Sequence, residues 1–431
     1  MRRVTVTAVL GAAAAAASFR AWTGDPVLDD LGLLGVLRRN PGGDGFVPPE
    51  RWQPLVRLTL RAVSGPLGNP FGAAGLVHHL VSLGLFLGTV LMLAGVHRAR
   101  TGGESMHPWH AFVLGAFALH PSLVEAYGHL AGRGEALALA ALAGVALGAA
   151  QGRMGVSAAF AAAGLASSPV VAPAAAALVL AAHLDDPARV SRRSAAAIAA
   201  MCAAAVAAAL APGHGLGDVA RWVARAPIAV GLATRSIAVP TETALRLPHW
   251  ELSRPLTASI AAFAAVPAAL AALAWGAGRR GDAVRVAGAA LSVLPLVQRA
   301  DALAYGFDRF VAGAAVLGAV TLLGAPPPAW TASLRGASRY VVASAAVGLL
   351  GMLGFMEWQT AQGFASSSHQ LDAMTQMRSR DPSGHLRNAW FATRVGDAYT
   401  AHEALAAARR GPLTPQMARR ADAIAAALHR R

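Results

Sequence analysis

The stretch Ala118 to Leu137, ALHPSLVEAYGHLAGRGEAL, decides how the chain is read. It lies between two long apolar segments and carries His120, Glu125, His129, Arg133 and Glu135. Polar side chains at such a boundary are costly unless they face protein, water or a ligand, so five of them together mark a candidate site. The competing reading is plain interfacial anchoring, since polar residues are common where helices leave a bilayer.

The composition around this stretch points to a membrane. Hydrophobic residues make up 55% of the 431, charged residues only 14%, and the mean hydropathy is +0.47. This predicts a polytopic membrane protein rather than two or three soluble domains. All 37 basic residues are arginine, against 22 acids, for a net charge of +15. The arginines sit mostly in loops beside apolar runs, where they read as topology signals and anion contacts, not as a nucleic-acid surface. The single Cys202 lies in an Ala-rich run, which excludes a disulfide framework and a cysteine metal site. Arg2 and Arg3 followed by Val4 to Phe19 resemble a signal peptide, but the many spans that follow favour an uncleaved first helix.

Runs of roughly 17 to 25 apolar residues, with shorter ones admitted inside a bundle, predict helices near 4–20, 73–96, 109–127, 134–150, 154–166, 169–183, 194–211, 257–275, 283–298, 309–324 and 339–356. The fold class expected is therefore all-α, a transmembrane bundle of about 11 helices over residues 1–356. With a cytoplasmic amino terminus, every short cytoplasmic loop holds arginine: Arg98 and Arg100, Arg153, Arg189 with Arg192 and Arg193, Arg279 with Arg280 and Arg285, and Arg335 with Arg339. The loops 21–72 and 212–256 and everything after Glu357 then lie outside. The pair 154–166 and 169–183 is short enough to be either two passes or one re-entrant hairpin around Ser167, Ser168 and Pro169.

Both long loops contain amphipathic pieces. In RWQPLVRLTLRAV, Trp52, Leu55, Leu58 and Val63 alternate with Arg51, Arg57 and Arg61 at helical spacing; RWVARAPIAVGLATRSIAVP repeats the pattern with Arg221, Arg225 and Arg235. Such helices lie in the interface, where they anchor a loop to headgroups or roof a lipid-side site. Beyond Glu357 the chain turns polar. Leu371, Met374 and Met377 precede the stop Asp381-Pro382, an apolar-periodic run covers Leu386 to Ala398, another helix reaches Arg409, and Pro412 and Pro415 open a last one. A helical-repeat module of about 34-residue period fits residues 357–431, needing the membrane domain or a protein partner to cover its face.

With this topology one side of the membrane collects the unusual polar residues: Asp29 and Asp30, His78 and His79, His120 and Glu125, Arg133, Ser167 and Ser168, Asp301, Asp308 and Arg309. Carboxylates there could act as general base for an incoming hydroxyl, and arginines could hold a phosphate leaving group. Asp29, Asp30 and the histidines have the chemistry for a divalent cation, but no fixed ligand spacing calls for one, and no cofactor is otherwise implied.

These residues resemble a family. The chain is similar to the GT-C membrane glycosyltransferases, most closely the TMTC type, in which an O-mannosyltransferase-like membrane domain precedes tetratricopeptide repeats. The double aspartate is Asp29-Asp30; the Tyr-Arg-Pro-Leu segment is Trp52-Gln53-Pro54-Leu55; the histidine-led helix is His79-Leu80-Val81-Ser82. The block Ala-Leu-His-Pro, Glu, Gly-Arg-Ala-Asp-Leu-Leu is Ala118-Leu119-His120-Pro121, Glu125 and Gly132-Arg133-Gly134-Glu135-Ala136-Leu137. An Asp-Arg pair matches Asp308-Arg309, and the entry to the repeats looks like Glu357-Trp358 through Asp381-Pro382. The chain departs at Gln53, where the family has arginine; at Ser82, where it has asparagine; at Phe86, where it has histidine; and at Ser167-Ser168, where it has a Lys-Glu pair.

The resemblance implies an inverting transferase of the bacterial cytoplasmic membrane. It would take a sugar, mannose in the family's pattern, from a polyprenyl-phosphate donor to a hydroxyl of a protein or glycan on the extracytoplasmic face. Asp30, or Asp29, would be general base; Arg133 and Arg309 would contact phosphate; and His79, His120, Glu125, Glu135 and Asp308 would shape the pocket. Two other classes compete: a catalytically inactive scaffold whose tail recruits an envelope partner, and a transporter of lipid-linked glycans. The transporter would need polar residues in mid-span, where the sequence is almost wholly Ala, Leu, Val and Gly.

Overall fold

A computed structural model describes residues 3–19, 21, 53–67, 73–103, 105–128, 132–168, 171–210, 216–239, 256–293, 307–362, 382–411, 413 and 415–429. Among these the architecture is all helical. In chain order the helices are α1 (Arg3–Ala17), α2 (Pro54–Leu67), α3 (Ala73–Thr101), α4 (Pro108–Ala118), a 3-10 turn (Pro121–Leu123), α5 (Val124–Gly128), α6 (Arg133–Ala150), α7 (Met154–Leu165), α8 (Val171–Asp185) and α9 (Arg192–Leu210). They continue with α10 (Leu216–Ala238), α11 (Ala258–Gly276), α12 (Arg280–Leu291), α13 (Phe307–Gly324), α14 (Ala329–Ser333), α15 (Ala337–Gln362), α16 (Pro382–Val395), α17 (Ala398–Arg409) and α18 (Pro415–His429).

Helices form close to each expected apolar run, with two corrections. The expected helix 109–127 is divided into α4, the 3-10 turn and α5, because Pro121 has no N–H to continue the ladder and its ring forces the preceding residue out of helical geometry. The carboxy-terminal run expected from Leu386 to Ala398 stops at Val395, where Gly396 takes a positive φ of 86° and Asp397 caps the next helix. Among the described residues four helical segments are long and apolar enough to cross a membrane: Leu76–Thr101, Arg133–Ala150, Ala258–Gly276 and Ala337–Gln362. Thr5–Ala17, Met154–Leu165, Val171–Asp185 and Gly313–Gly324 are shorter apolar helices.

The core joins α3, α4, α5, α6, α8 and α13, with Leu93, Leu114, Leu123, Val145, Leu142, Leu178 and Leu317 all buried. α6 packs against both α3 and α7, α8 against α9 and α12, and α13 against α3, α6 and α12. α11 and α15 stand at the edge and leave Leu273, Val341, Val347 and Phe355 exposed, an apolar surface suited to hydrocarbon. Small residues permit the tightest approaches, as in membrane bundles generally. A Cβ at Gly288 of α12 would overlap Ala177 Cβ of α8, and one at Gly231 of α10 would overlap the Ile260 carbonyl oxygen of α11.

Charges collect at one end of this bundle. Asp185, at the end of α8, accepts from Arg100 at the end of α3 (2.7 Å) and from the fully buried Arg285 of α12, which also reaches Asp282 at 2.7 Å. Gly152, just before α7, lies 3.6 Å from the Arg189 carbonyl oxygen as measured from a Cβ built on it, so the turns after α6 and after α8 meet at this same end. α7 and α8 therefore run away from the arginine end and back to it. At 12 and 15 residues they are about 18 and 22 Å long. The two short segments are separate antiparallel helices whose outer ends return to one end of the bundle, an arrangement shared by two passes and by a re-entrant hairpin.

The last three helices pack on one another around Leu386, Leu405, Met417, Ala421 and Ile424. Pro382 and Pro415 each occupy the first helical position, where a missing N–H costs nothing. Arg409 of α17 pairs with Asp422 of α18 at 3.1 Å. Residues 363–381, with the expected contacts of Leu371, Met374 and Met377, lie outside the described residues.

Two outcomes follow from this packing. Gly288→Ala should force α8 and α12 apart and lower stability by about 1–3 kcal/mol, while adding Ala177→Gly should restore most of the loss; thermal unfolding of the two variants measures both. Hydrogen bonds from the Thr400 side chain and then its N–H hold the exposed Asp397 carboxyl below the ordinary carboxylate range. Its contribution is thus present above the unfolded-state value and lost as pH falls through the folded one, so amide protection in α17, after correction for the intrinsic pH dependence of exchange, should fall on acidification in the wild type and already be reduced at neutral pH in Asp397→Ala.

Candidate functional site

The end of the bundle opposite the arginine network brings four separate segments together. The amino-terminal ends of α2, α3 and α6 meet the turn between α7 and α8. Leu55 N–H of α2 donates to the Ala166 carbonyl at 3.2 Å, which seats the amphipathic helix on that turn. Arg133, the first residue of α6 and wholly buried, donates through Nη2 to the His78 carbonyl of α3 at 2.6 Å. A Cβ at Gly134 would lie 3.2 Å from the Ser167 carbonyl oxygen, 3.4 Å from Val56 Cγ2 and 3.6 Å from Gln53 Nε2. Glycine here lets the head of α6 press against α2 and the α7–α8 turn at once, a close approach that a larger side chain would block.

Each wall follows from its sequence. α2 begins at Pro54 and turns Val56 and Leu60 inward while Leu58 faces out, so its apolar stripe rests on α3 and α6. Arg57 lies one turn beyond Gln53, on the same face, and is half-buried. His78 and His79 are buried in the second turn of α3, and Ser82 one turn later is fully enclosed. Its Oγ finds no hydrogen-bond partner among the described residues. Glu135 occupies the first turn of α6, where a carboxylate complements the positive end of the helix dipole. Ser167 donates its hydroxyl to the Ala163 carbonyl at 2.7 Å, closing α7 on itself.

His120 has a defined place. It is the residue ahead of the 3-10 turn, and its Nδ1 accepts from Ser122 N–H at 3.3 Å while Nε2 faces the Ile237 carbonyl oxygen at 3.0 Å. An Nδ1 that accepts leaves the proton on Nε2, so the ring donates to Ile237 and both nitrogens are engaged. Ser122 Oγ reaches the neighbouring Ser236 carbonyl at 3.5 Å. Together they take up carbonyls at the end of the second amphipathic helix, α10, which has no further turn to satisfy them. The same local code operates at His107-Pro108, where His107 Nδ1 accepts from Trp109 N–H at 3.2 Å and proline opens α4.

Of the expected site residues, the structure places His79, Arg133 and Glu135 at this end with Gln53 and the Ser167-Ser168 turn, and it places His120 under α10. Asp29, Asp30, His129 and Asp301 lie outside the described residues. Glu125 on α5 and Asp308 and Arg309 in the first turn of α13 belong to described helices, but their side chains lie outside the described set. Among the described residues no group of three or more His, Cys, Asp or Glu is arranged to hold a metal ion.

The sequence reading missed one buried cluster. Glu357 near the end of α15 accepts at Oε1 from Ser18 Oγ (2.5 Å) and from Tyr127 OH (2.9 Å), and the Tyr127 ring lies 4.3 Å from that of Phe86. A lone carboxylate in an apolar run was the available signal. Its partners, in α5 and just beyond α1, are too distant in sequence for spacing to reveal. No family model, curated protein or solved structure matches the chain.

Gly134→Ala should be near neutral, since the helix propensity gained, about 1 kcal/mol, offsets a shift of a few tenths of an ångström at Ser167. Gly134→Val has no such compensation and should cost about 1–3 kcal/mol in thermal unfolding, with α2 released from the bundle as judged by protease sensitivity near residue 60.

Proposed function

We propose that this chain is an integral-membrane glycosyltransferase of the GT-C kind, transferring a sugar from a polyprenyl-phosphate carrier to a hydroxyl of a protein or glycan on the extracytoplasmic face. The observation that carries the reading is the meeting of Gln53 and Val56, His78, Arg133-Gly134 and Ser167 at one end of the bundle. These are the positions of four separate family-like motifs, and they adjoin one another away from the arginine-rich end, which the positive-inside rule assigns to the cytoplasm. The bundle would then be the GT-C domain of about eleven helices, and α16 to α18 a short tetratricopeptide-like module on the same side as the site.

In this mechanism Asp30, or Asp29, takes the proton of the acceptor hydroxyl as its oxygen attacks the anomeric carbon. The bond from that carbon to the phosphate oxygen breaks, and polyprenyl phosphate leaves with the electron pair. Arg133 donates through Nη2 to the His78 carbonyl, so it holds the head of α3 in register, and it would contact the donor phosphate from there. Arg57, on the face of α2 that carries Gln53, supplies a second cation for phosphate in the place of the family's arginine, and Arg309 a third. α2 and α10, with their arginine-bearing polar faces, would receive the lipid carrier from the headgroup region.

The scaffold reading draws on a specific observation too. Ser167 bonds its own helix, and Ser82 Oγ has no hydrogen-bond partner among the described residues, at two positions where the family carries a charge or an amide. Release of polyprenyl phosphate from a panel of polyprenyl-phosphate sugars by the purified protein in lipid separates the two. Transfer that falls about 10²- to 10⁴-fold in Asp30→Asn is expected of the enzyme. Undiminished transfer in the Asp29→Asn, Asp30→Asn double variant would remove the catalytic assignment. No transfer with any donor, together with a stable partner trapped through the tail, would favour the scaffold.

A further inference from the structure

Glu357 presents a charge problem that the described protein does not solve. Its side chain is fully buried. One oxygen, Oε1, receives both the Ser18 and the Tyr127 hydroxyls, while Oε2 is buried with no partner among the described residues. Two donors converging on one oxygen leave the other free of protein, the arrangement expected when something else is seated there.

No charged side chain of the described neighbourhood supplies the missing positive charge. α15 packs on α1, α4, the 3-10 turn and α5. From α4, His110 is directed to the Ala325 carbonyl at 2.9 Å; from the turn, His120 is engaged at both nitrogens; and α5 offers Tyr127, a neutral donor. Arg339, on α15 itself, is 18 residues away, about 27 Å along the helix. Arg3 begins α1 at the end remote from Ser18. The side chains of Arg20 and Glu125 lie outside the described residues. A bare carboxylate in a low-dielectric interior is not sustained without a compensating cation.

We propose that Glu357, Ser18 and Tyr127 form a binding site for one proton, carried on Oε2 of Glu357. The proton removes the charge, and Ser18 and Tyr127, both bound to Oε1, fix which carboxyl oxygen is left to receive it. The site joins the end of the first helix, the short α5 and the last helix before the carboxy-terminal module, so its occupancy holds α1 and α15 together where the chain leaves the bundle. Loss of the proton leaves one uncompensated buried carboxylate at that seam and loosens it.

The experiment is infrared spectroscopy of the full chain in lipid nanodiscs at neutral pH, with Glu357→Gln as the subtracted reference, in choline chloride and in sodium chloride, paired with thermal unfolding in the same media. A protonated-acid carbonyl band, absent from Glu357→Gln and unchanged by sodium, assigns the site to a proton. A band that gives way to carboxylate as sodium is added, with a melting temperature that rises with sodium, would overturn the proton assignment in favour of a sodium ion. Should Glu357→Gln fail to fold, Tyr127→Phe serves as the reference: it removes one donor from Oε1, leaves Oε2 intact and should shift the same band. A carboxylate signature identical in both media, with melting indifferent to sodium, would overturn the proposal, most directly if Arg20→Gln then converted it to the acid.

Discussion

A polar atom taken out of water must find a partner inside the protein, and this bundle meets that demand by joining helix ends to other helices. Arg133 at the head of α6 goes to a carbonyl of α3, and His97 and His110 go to the Leu323 and Ala325 carbonyls at the end of α13. His120 and Ser122 go to the end of α10. Because the helices are chiefly Ala, Leu, Val and Gly, their sides fit together with little specificity, and these polar ties fix which ends meet. The candidate site is one such place; the arginine network at the opposite end is another.

The two ends are built differently. At the arginine end, opposite charges meet: Asp185 lies between Arg100 and the buried Arg285, so three helices are locked by ion pairs. At the site end the visible ties are hydrogen bonds between side chains and backbone, and close backbone contacts at Gly134. Removing a charge from a locked pair leaves its partner stranded, so the arginine end depends on keeping its ion pairs intact.

Much of the helical layout was legible in the sequence because long apolar runs have one structural outcome in hydrocarbon, and both amphipathic helices followed from arginines at helical spacing. The break at His120-Pro121 was not drawn, although proline should have signalled it, because apolar residues continue on both sides. That the two helices flanking Ser167-Ser168 return to one end rests on contacts between turns, such as Gly152 with Arg189, that no spacing encodes. That Arg133 and Ser167 share one side followed from the order of the apolar runs, whereas Gln53 beside them had no signal in its own spacing. Ser18 and Glu357, 339 residues apart, had no sequence signal beyond an isolated carboxylate.

The central claim is that α2 and the α7–α8 turn share the site end, away from the arginines, and disulfide trapping in native membranes tests it most directly. In a Cys202→Ala background, the pair Leu55→Cys with Ala166→Cys, whose backbones are joined by a 3.2 Å hydrogen bond, should cross-link on mild oxidation. The pair Leu55→Cys with Asp186→Cys, at opposite ends, should not. Cross-linking of the second pair in preference to the first would contradict the arrangement, and with it the site on which the proposed activity rests.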